Sequence, residues 1–189
     1  TRFPYTFQFV GIVNSNVIKY FKIFRDFFKL LPDHLKEHLI LRPRSLKGFF
    51  GEGRYCFDAE KIWDTKANNI RICNGVFSEI IYESKILIID HLSTGVGEIL
   101  NANIPCMIIH DGHIEQLEDE YSGIFDDLID CGVVHRSAES AVLQLAKIYD
   151  DVEGWWKSDV VQNAHKKICS GTYDHPSNTV NYLLSCLGE

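Results

Sequence analysis

Residues 84–111 read SKILIIDHLSTGVGEILNANIPCMIIHD. Two short apolar runs, 86–90 and 105–109, bracket a stretch with helical spacing at 94–102. Neither run alternates polar with apolar residues, so each strand is expected to be covered on both faces. Such strands, separated by helices, are the pattern of a parallel sheet with helices on both sides. The expected fold class is therefore α/β. It is a Rossmann-like parallel sheet with helices on both faces and a helical C-terminal tail.

The neighbouring sequence extends that pattern. Residues 7–13 (FQFVGIV) read as a strand, with Asn14-Ser15-Asn16 as an N-cap for a helix over 17–31 that ends at Pro32. Short strands are expected at 39–41 and 70–73, and helices at 55–63 and 78–83. A glycine-containing loop covers 48–53. Further helices are expected at 114–130 and 139–150. From Ala138 the pattern is helical only, with helices at 141–149, 160–169 and 179–187. The reading divides the chain into a nucleotide-donor-binding domain at 1–137 and a helical extension at 138–189. Trp155-Trp156 in that extension is too large a pair to be left exposed without reason.

The chain has 189 residues, enough for one full-sized domain. A chain of that length buries about 70% of the surface it exposes when unfolded, so it needs no disulfide or metal staple. Hydrophobic residues make up 46% and charged residues 24%, which excludes disordered and collagen-like classes. Nineteen Lys and Arg against 26 Asp and Glu give a net charge of −7, which argues against nucleic acid as a partner. No apolar run is long enough for a transmembrane segment. The start, TRFPY, has no Met and no signal pattern, and reads as a cut into a longer protein or a trimmed terminus. The six cysteines form no CxxC pair, which fits a reducing cytoplasmic compartment.

In an open parallel sheet, ligands bind where strand turns into helix at the carboxyl ends. The junction at 86–98 is such a place. A buried strand ends at Asp90, and Ser93 or Thr94 caps the next helix. The backbone N–H groups of Thr94, Gly95 and Val96 then face the crevice at the positive pole of that helix. Small residues there let a phosphate approach closely, and the two hydroxyls add donors. Glu98, one turn on, is placed to accept hydrogen bonds from sugar hydroxyls. On the pattern alone, Ser93-Thr94 reads more simply as an N-cap.

Residues 84–111 resemble the donor-nucleotide segment of GT-B glycosyltransferases. They are most similar to bacterial surface-carbohydrate transferases of lipopolysaccharide and O-antigen loci, with their relatives the CDP-glycerol glycerophosphotransferases and capsule Kdo transferases. Residues 39–51 (LILRPRSLKGFFG) resemble that family's strand and Arg-bearing loop. Residues 132–152, followed by Trp155-Trp156, resemble its closing helices.

The resemblance implies the C-terminal, donor-binding half of a GT-B fold, with the N-terminal half outside this chain. It implies that Ser93, Thr94 and Gly95 hold the donor phosphates and that Glu98 holds the ribose. Arg42 is implied as a further phosphate contact offsetting leaving-group charge. His91 is implied to touch phosphate or the transferred group. The donor would be a CMP-, CDP- or UDP-linked sugar or glycerophosphate and the acceptor a surface glycan. The expected site holds no covalently bound cofactor and no metal. A cytoplasmic location follows, at its furthest as a peripheral protein on the inner face of the membrane. Gly95 and Gly97 depart from the bulkier residues common at this helix start. A non-catalytic nucleotide- or protein-binding module, or a GT-B-type sugar epimerase, fits the same residues.

Other features weigh less. Arg44 reads as a surface cation, Lys47 and Arg54 around the loop as added positive potential over the crevice, ranked below Arg42, and Ser15 and Asn16 as caps ahead of a donor contact. His110 and His113 with Glu115 match no standard zinc spacing. Asp126-Asp127 and Asp150-Asp151 read as solvated or capping charges near helix ends. The stripe Phe21, Phe24, Phe27, Phe28 reads as core. No G-x-S-x-G, Walker A or G-x-G-x-x-G motif is present.

Overall fold

The computed structural model describes residues 14–42, 70–73, 80, 81, 83–90, 92, 94–111 and 119–172. The strand expected at 7–13, the loop at 48–53 and the helices at 55–63 and 179–187 lie outside the described residues.

The described elements run α1 (Asn14–Leu30), α2 (Asp33–Lys36), β1 (Ile40–Leu41), β2 (Arg71–Ile72), β3 (Leu87–Ile89), α3 (Thr94–Asn101), β4 (Cys106–Ile109), α4 (Asp119–Asp130), β5 (Val134–His135) and α5 (Ala138–Ile148). A 3₁₀ turn (Tyr149–Asp151), α6 (Val152–Trp156) and α7 (Asp159–Thr172) follow. Among the described residues every strand pairing is parallel. β1 pairs with β2, and β3, β4 and β5 form a second sheet in that order. Parallel pairs cannot be closed by a hairpin, and the described helix α3 joins β3 to β4 as such a crossover.

β4 shows how the helices are distributed. All four of its residues are buried. Met107 and Ile109 face a core built from Phe24, Phe27 and Phe28 of α1 and Ala141 and Leu145 of α5. Cys106 and Ile108 face the opposite core, with Ile99 and Leu100 of α3, Leu128 of α4 and Val161 and Ile168 of α7. β3 alternates the same way, Ile88 toward the first core and Leu87 and Ile89 toward the second. Alternate side chains of a strand point to opposite faces, so helices cover both sides of the sheet. The fold is α/β with the expected doubly covered parallel sheet.

The aromatic stripe is core, as read. Phe24, Phe27 and Phe28 are buried, and Phe21 is half-buried against the same core. The helix starts at Asn14 rather than Val17, so Ser15 and Asn16 lie in its first turn rather than before it. The β5 strand and the short helices α2 and α6 are additional to the sequence reading.

Two helix ends share one motif. Asn103 has φ +52° and Gly132 has φ +77°, each just past a helix. Ile104 N donates to Ile99 O and Asn103 N to Leu100 O; Val133 N donates to Leu128 O and Gly132 N to Ile129 O. These paired bonds satisfy the last carbonyls of α3 and α4 and turn the chain into β4 and β5. The two tryptophans grip these same ends. Trp155 Nε1 donates to Cys131 O (3.2 Å), and Trp156 Nε1 to Asn103 O (3.1 Å) and Oδ1 (2.9 Å). The expected bulky pair is thus packed on the domain, against the amino-terminal end of the sheet. Among the described residues no helix is long and apolar enough to cross a membrane.

Candidate functional site

The carboxyl rim of the sheet is assembled from strand ends. Register pairs Ile89 with Ile108 and Ile109 with His135. Asp90, His110 and Arg136 therefore leave three neighbouring strands side by side. His110 N donates to His135 O at 2.8 Å, and Arg136 Nη1 donates to His110 O at 3.3 Å. The guanidinium is thereby laid from the end of β5 toward that of β4. A guanidinium carries five N–H donors. Arg136 is exposed, so donors not aimed at His110 face solvent.

α3 rises from this rim. It opens at Thr94, and its first turn, Thr94-Gly95-Val96-Gly97, carries no acidic residue. The first N–H groups of a helix have no partner within it, and the helix dipole leaves them at its positive end. Gly95 is half-buried, whereas Val96, Ile99 and Leu100 point into the core. Glu98 is exposed, three residues after Gly95 and four after Thr94, hence on the same helix face. The structure thus brings together Thr94, Gly95 and Glu98. His91 and Ser93 lie outside the described residues. Arg42 is exposed at the carboxyl end of β1, in the two-stranded sheet.

His110 is buried, with its ring 5.9 Å from that of Phe125. His113 and Glu115 lie outside the described residues, and among the described residues no three His, Cys, Asp or Glu side chains come together. His135 is buried as well. Its Nε2 donates to Gly132 O (2.9 Å), and Nδ1 meets Ser140 Oγ (3.2 Å). Burial holds this imidazole below its ordinary pKa of 6.5, with the Gly132 carbonyl pulling the other way. It ties the turn before β5 to the first turn of α5, which Ser137 caps by accepting from Ser140 N.

Cys106, Cys131 and Cys169 are not poised as nucleophiles. Cys106, Cys131 and Cys169 are not in disulfides. Burial pushes the Cys106 thiol up to about 12, and burial raises Cys131 and Cys169 too. Cys169 Sγ lies 3.5 Å from His165 Nε2, but that nitrogen also sits 2.6 Å from Leu100 O. A carbonyl only accepts, so Nε2 carries the proton and cannot take one from the thiol. This is not a Cys–His dyad.

An open cleft of about 740 Å³ runs along the outer edge of β5, between α5 and the start of α7, and reaches Arg136 at the rim. Leu143 and Val160 stand exposed on its walls.

Sequence reading missed Arg136 and His135 because β5 was not recognised. The available signal was Gly132, a helix stop, followed by Val133-Val134 and then the cap Ser137.

Compared with known protein families, residues 1–184 match the family model of the LIC12162 family transferases. Neither a curated protein nor a solved structure is detectably similar to the chain.

Proposed function

The chain belongs to the LIC12162 family of transferases, and on that premise we propose that it binds the donor of a glycosyltransferase-like enzyme. In this reading a sugar or glycerophosphate-like group passes from a CMP-, CDP- or UDP-linked donor to a surface glycan in the cytoplasm. The observation that carries it is the start of α3. This glycine-bearing helix end, free of acidic side chains, stands at the carboxyl end of a parallel strand.

Thr94 and Gly95, with Ser93, would hold the donor phosphates, and Glu98 the ribose hydroxyls. Arg42 and His91 would face the leaving group, and Arg136 adds a cation on the same rim. Charge develops on the phosphate as the nucleotide leaves, and fixed donors aimed at it favour the transition state over the ground state. Acceptor binding and deprotonation would belong to the N-terminal half of a GT-B fold.

The test is thermal unfolding against CMP, CDP, UDP, GDP, dTDP and ADP, with and without Mg²⁺. A nucleotide at 100 times its Kd stabilises by about 2.7 kcal/mol. For a chain of this size that raises the midpoint by about 5–10 °C. Ser93→Ala with Thr94→Ala, and separately Glu98→Ala, should remove the shift. If no nucleotide shifts this chain, or a longer one carrying the other half, the reading is wrong.

A further inference from the structure

We infer that the C-terminal helices act as the rear anchor of α3, with Trp156, Gln162 and His165 as positioning residues for the phosphate-binding end. The inference rests on the reading of α3 given above. α3 is eight residues, two turns and about 12 Å long. A helix that short has little stability of its own, so its placement is set by what holds it.

Its buried side chains fix one face to β4. Its carboxyl end is held from a single distant stretch of chain. Trp156 Nε1 donates to both Asn103 O and Asn103 Oδ1. Asn103 and Gln162 exchange amide hydrogen bonds, Nδ2 to Oε1 at 3.3 Å and Nε2 to Oδ1 at 3.2 Å. Gln162 Nε2 also donates to Trp156 O at 2.8 Å, which ties the start of α7 to α6. His165 Nε2 donates to Leu100 O in the last turn of α3, with its ring edge-on to Trp156. These partners are 53 to 65 residues apart in sequence.

The consequence is mechanical. Over two turns a helix moves as a rod, so a tilt or slide at Asn103 is transmitted to Thr94 and Gly95. Anion binding through backbone N–H groups depends on their direction, and small misplacements of such groups are expensive. The tail would therefore act on donor affinity from the opposite end of the helix, without touching the donor.

Two variants separate anchoring from general stability. Asn103→Gly keeps φ +52° unstrained and removes only the Oδ1 and Nδ2 partners. Trp156→Phe keeps an aromatic ring and removes the indole N–H. Leu145→Ala, in the core on the other face of the sheet, is the control. The readouts are the Kd for the stabilising nucleotide, measured where all variants are folded, and amide hydrogen exchange of residues 96–102.

Anchoring predicts about fivefold weaker binding in both tail variants. It also predicts faster exchange in α3 than in α5, with Leu145→Ala leaving the Kd unchanged. An unchanged Kd in both tail variants overturns the inference. If the wild type binds no nucleotide, the donor reading fails and exchange alone decides. Selective loss of protection in α3 then supports the anchor, and uniform loss across α3 and α5 overturns it.

Discussion

Gly132 joins α4 to β5 at φ +77°, and replacing it with alanine has a calculable effect. An L residue in this left-handed region is disfavoured by about 1–2 kcal/mol. The added Cβ would also stand 2.8 Å from Cδ and Nε2 of Gln144. Those atoms are the far end of a flexible side chain, so moving them costs about 0.5–1 kcal/mol. Alanine also restricts the unfolded chain, which returns about 0.4–1 kcal/mol. The net loss is about 1–2 kcal/mol, a midpoint about 3–6 °C lower. The assay is urea and thermal unfolding of Gly132→Ala in two backgrounds, wild type and Gln144→Ala. The second removes the steric part and leaves the backbone part. The variant should still lose about 1 kcal/mol when Gln144 is truncated. A Gly132→Ala variant within 0.5 kcal/mol of its parent in both backgrounds would refute a left-handed cap there. Full recovery in Gln144→Ala would mean that side-chain crowding, rather than backbone conformation, selects glycine.

Two further predictions concern titratable groups. Burial lowers the His135 pKa in the folded protein below 6.5, so the unfolded chain takes up the proton more readily. Its contribution is complete above pH 6.5 and is lost as pH falls toward the folded pKa; His135→Gln should flatten the pH dependence of the urea midpoint below pH 6.5, and an unchanged slope would remove the cause assigned here. Cys106, wholly buried with a thiol pKa of about 12, should resist iodoacetamide at pH 8 until the protein unfolds, and peptide mapping that finds it alkylated in the native state would contradict its packing.

Legibility followed locality. The run at 105–109 announces a doubly buried strand because every residue in it is apolar, and no distant information is needed. The stripe Phe21, Phe24, Phe27, Phe28 announces one apolar helix face for the same reason. Thr94 and Gly95 fall at a helix start as read, since strand, polar turn and cap are contiguous. β5 was illegible on the same grounds. Val134–His135 is two residues long and ends in histidine, and only pairing with Ile108 and Ile109 makes it a strand. Once β5 is missed, Arg136 has no rim to stand on.

The tail shows the other limit. Trp155-Trp156 was recognisable as a pair needing burial, but its partners are backbone carbonyls at Cys131 and Asn103, which have no sequence signature. Indole N–H groups seldom go unpaired when buried, and these two meet the carbonyls left at the ends of α3 and α4. Both strands that follow those ends, β4 and β5, carry rim residues at their far ends. The tail therefore holds the sheet from its amino-terminal side while the proposed chemistry sits at the carboxyl side. A change in the tail can reach that rim through α3 or through the strands, as well as through α4, on which α7 also packs. Hydrogen exchange that distinguishes α3, α4 and β4 would identify which route carries the effect.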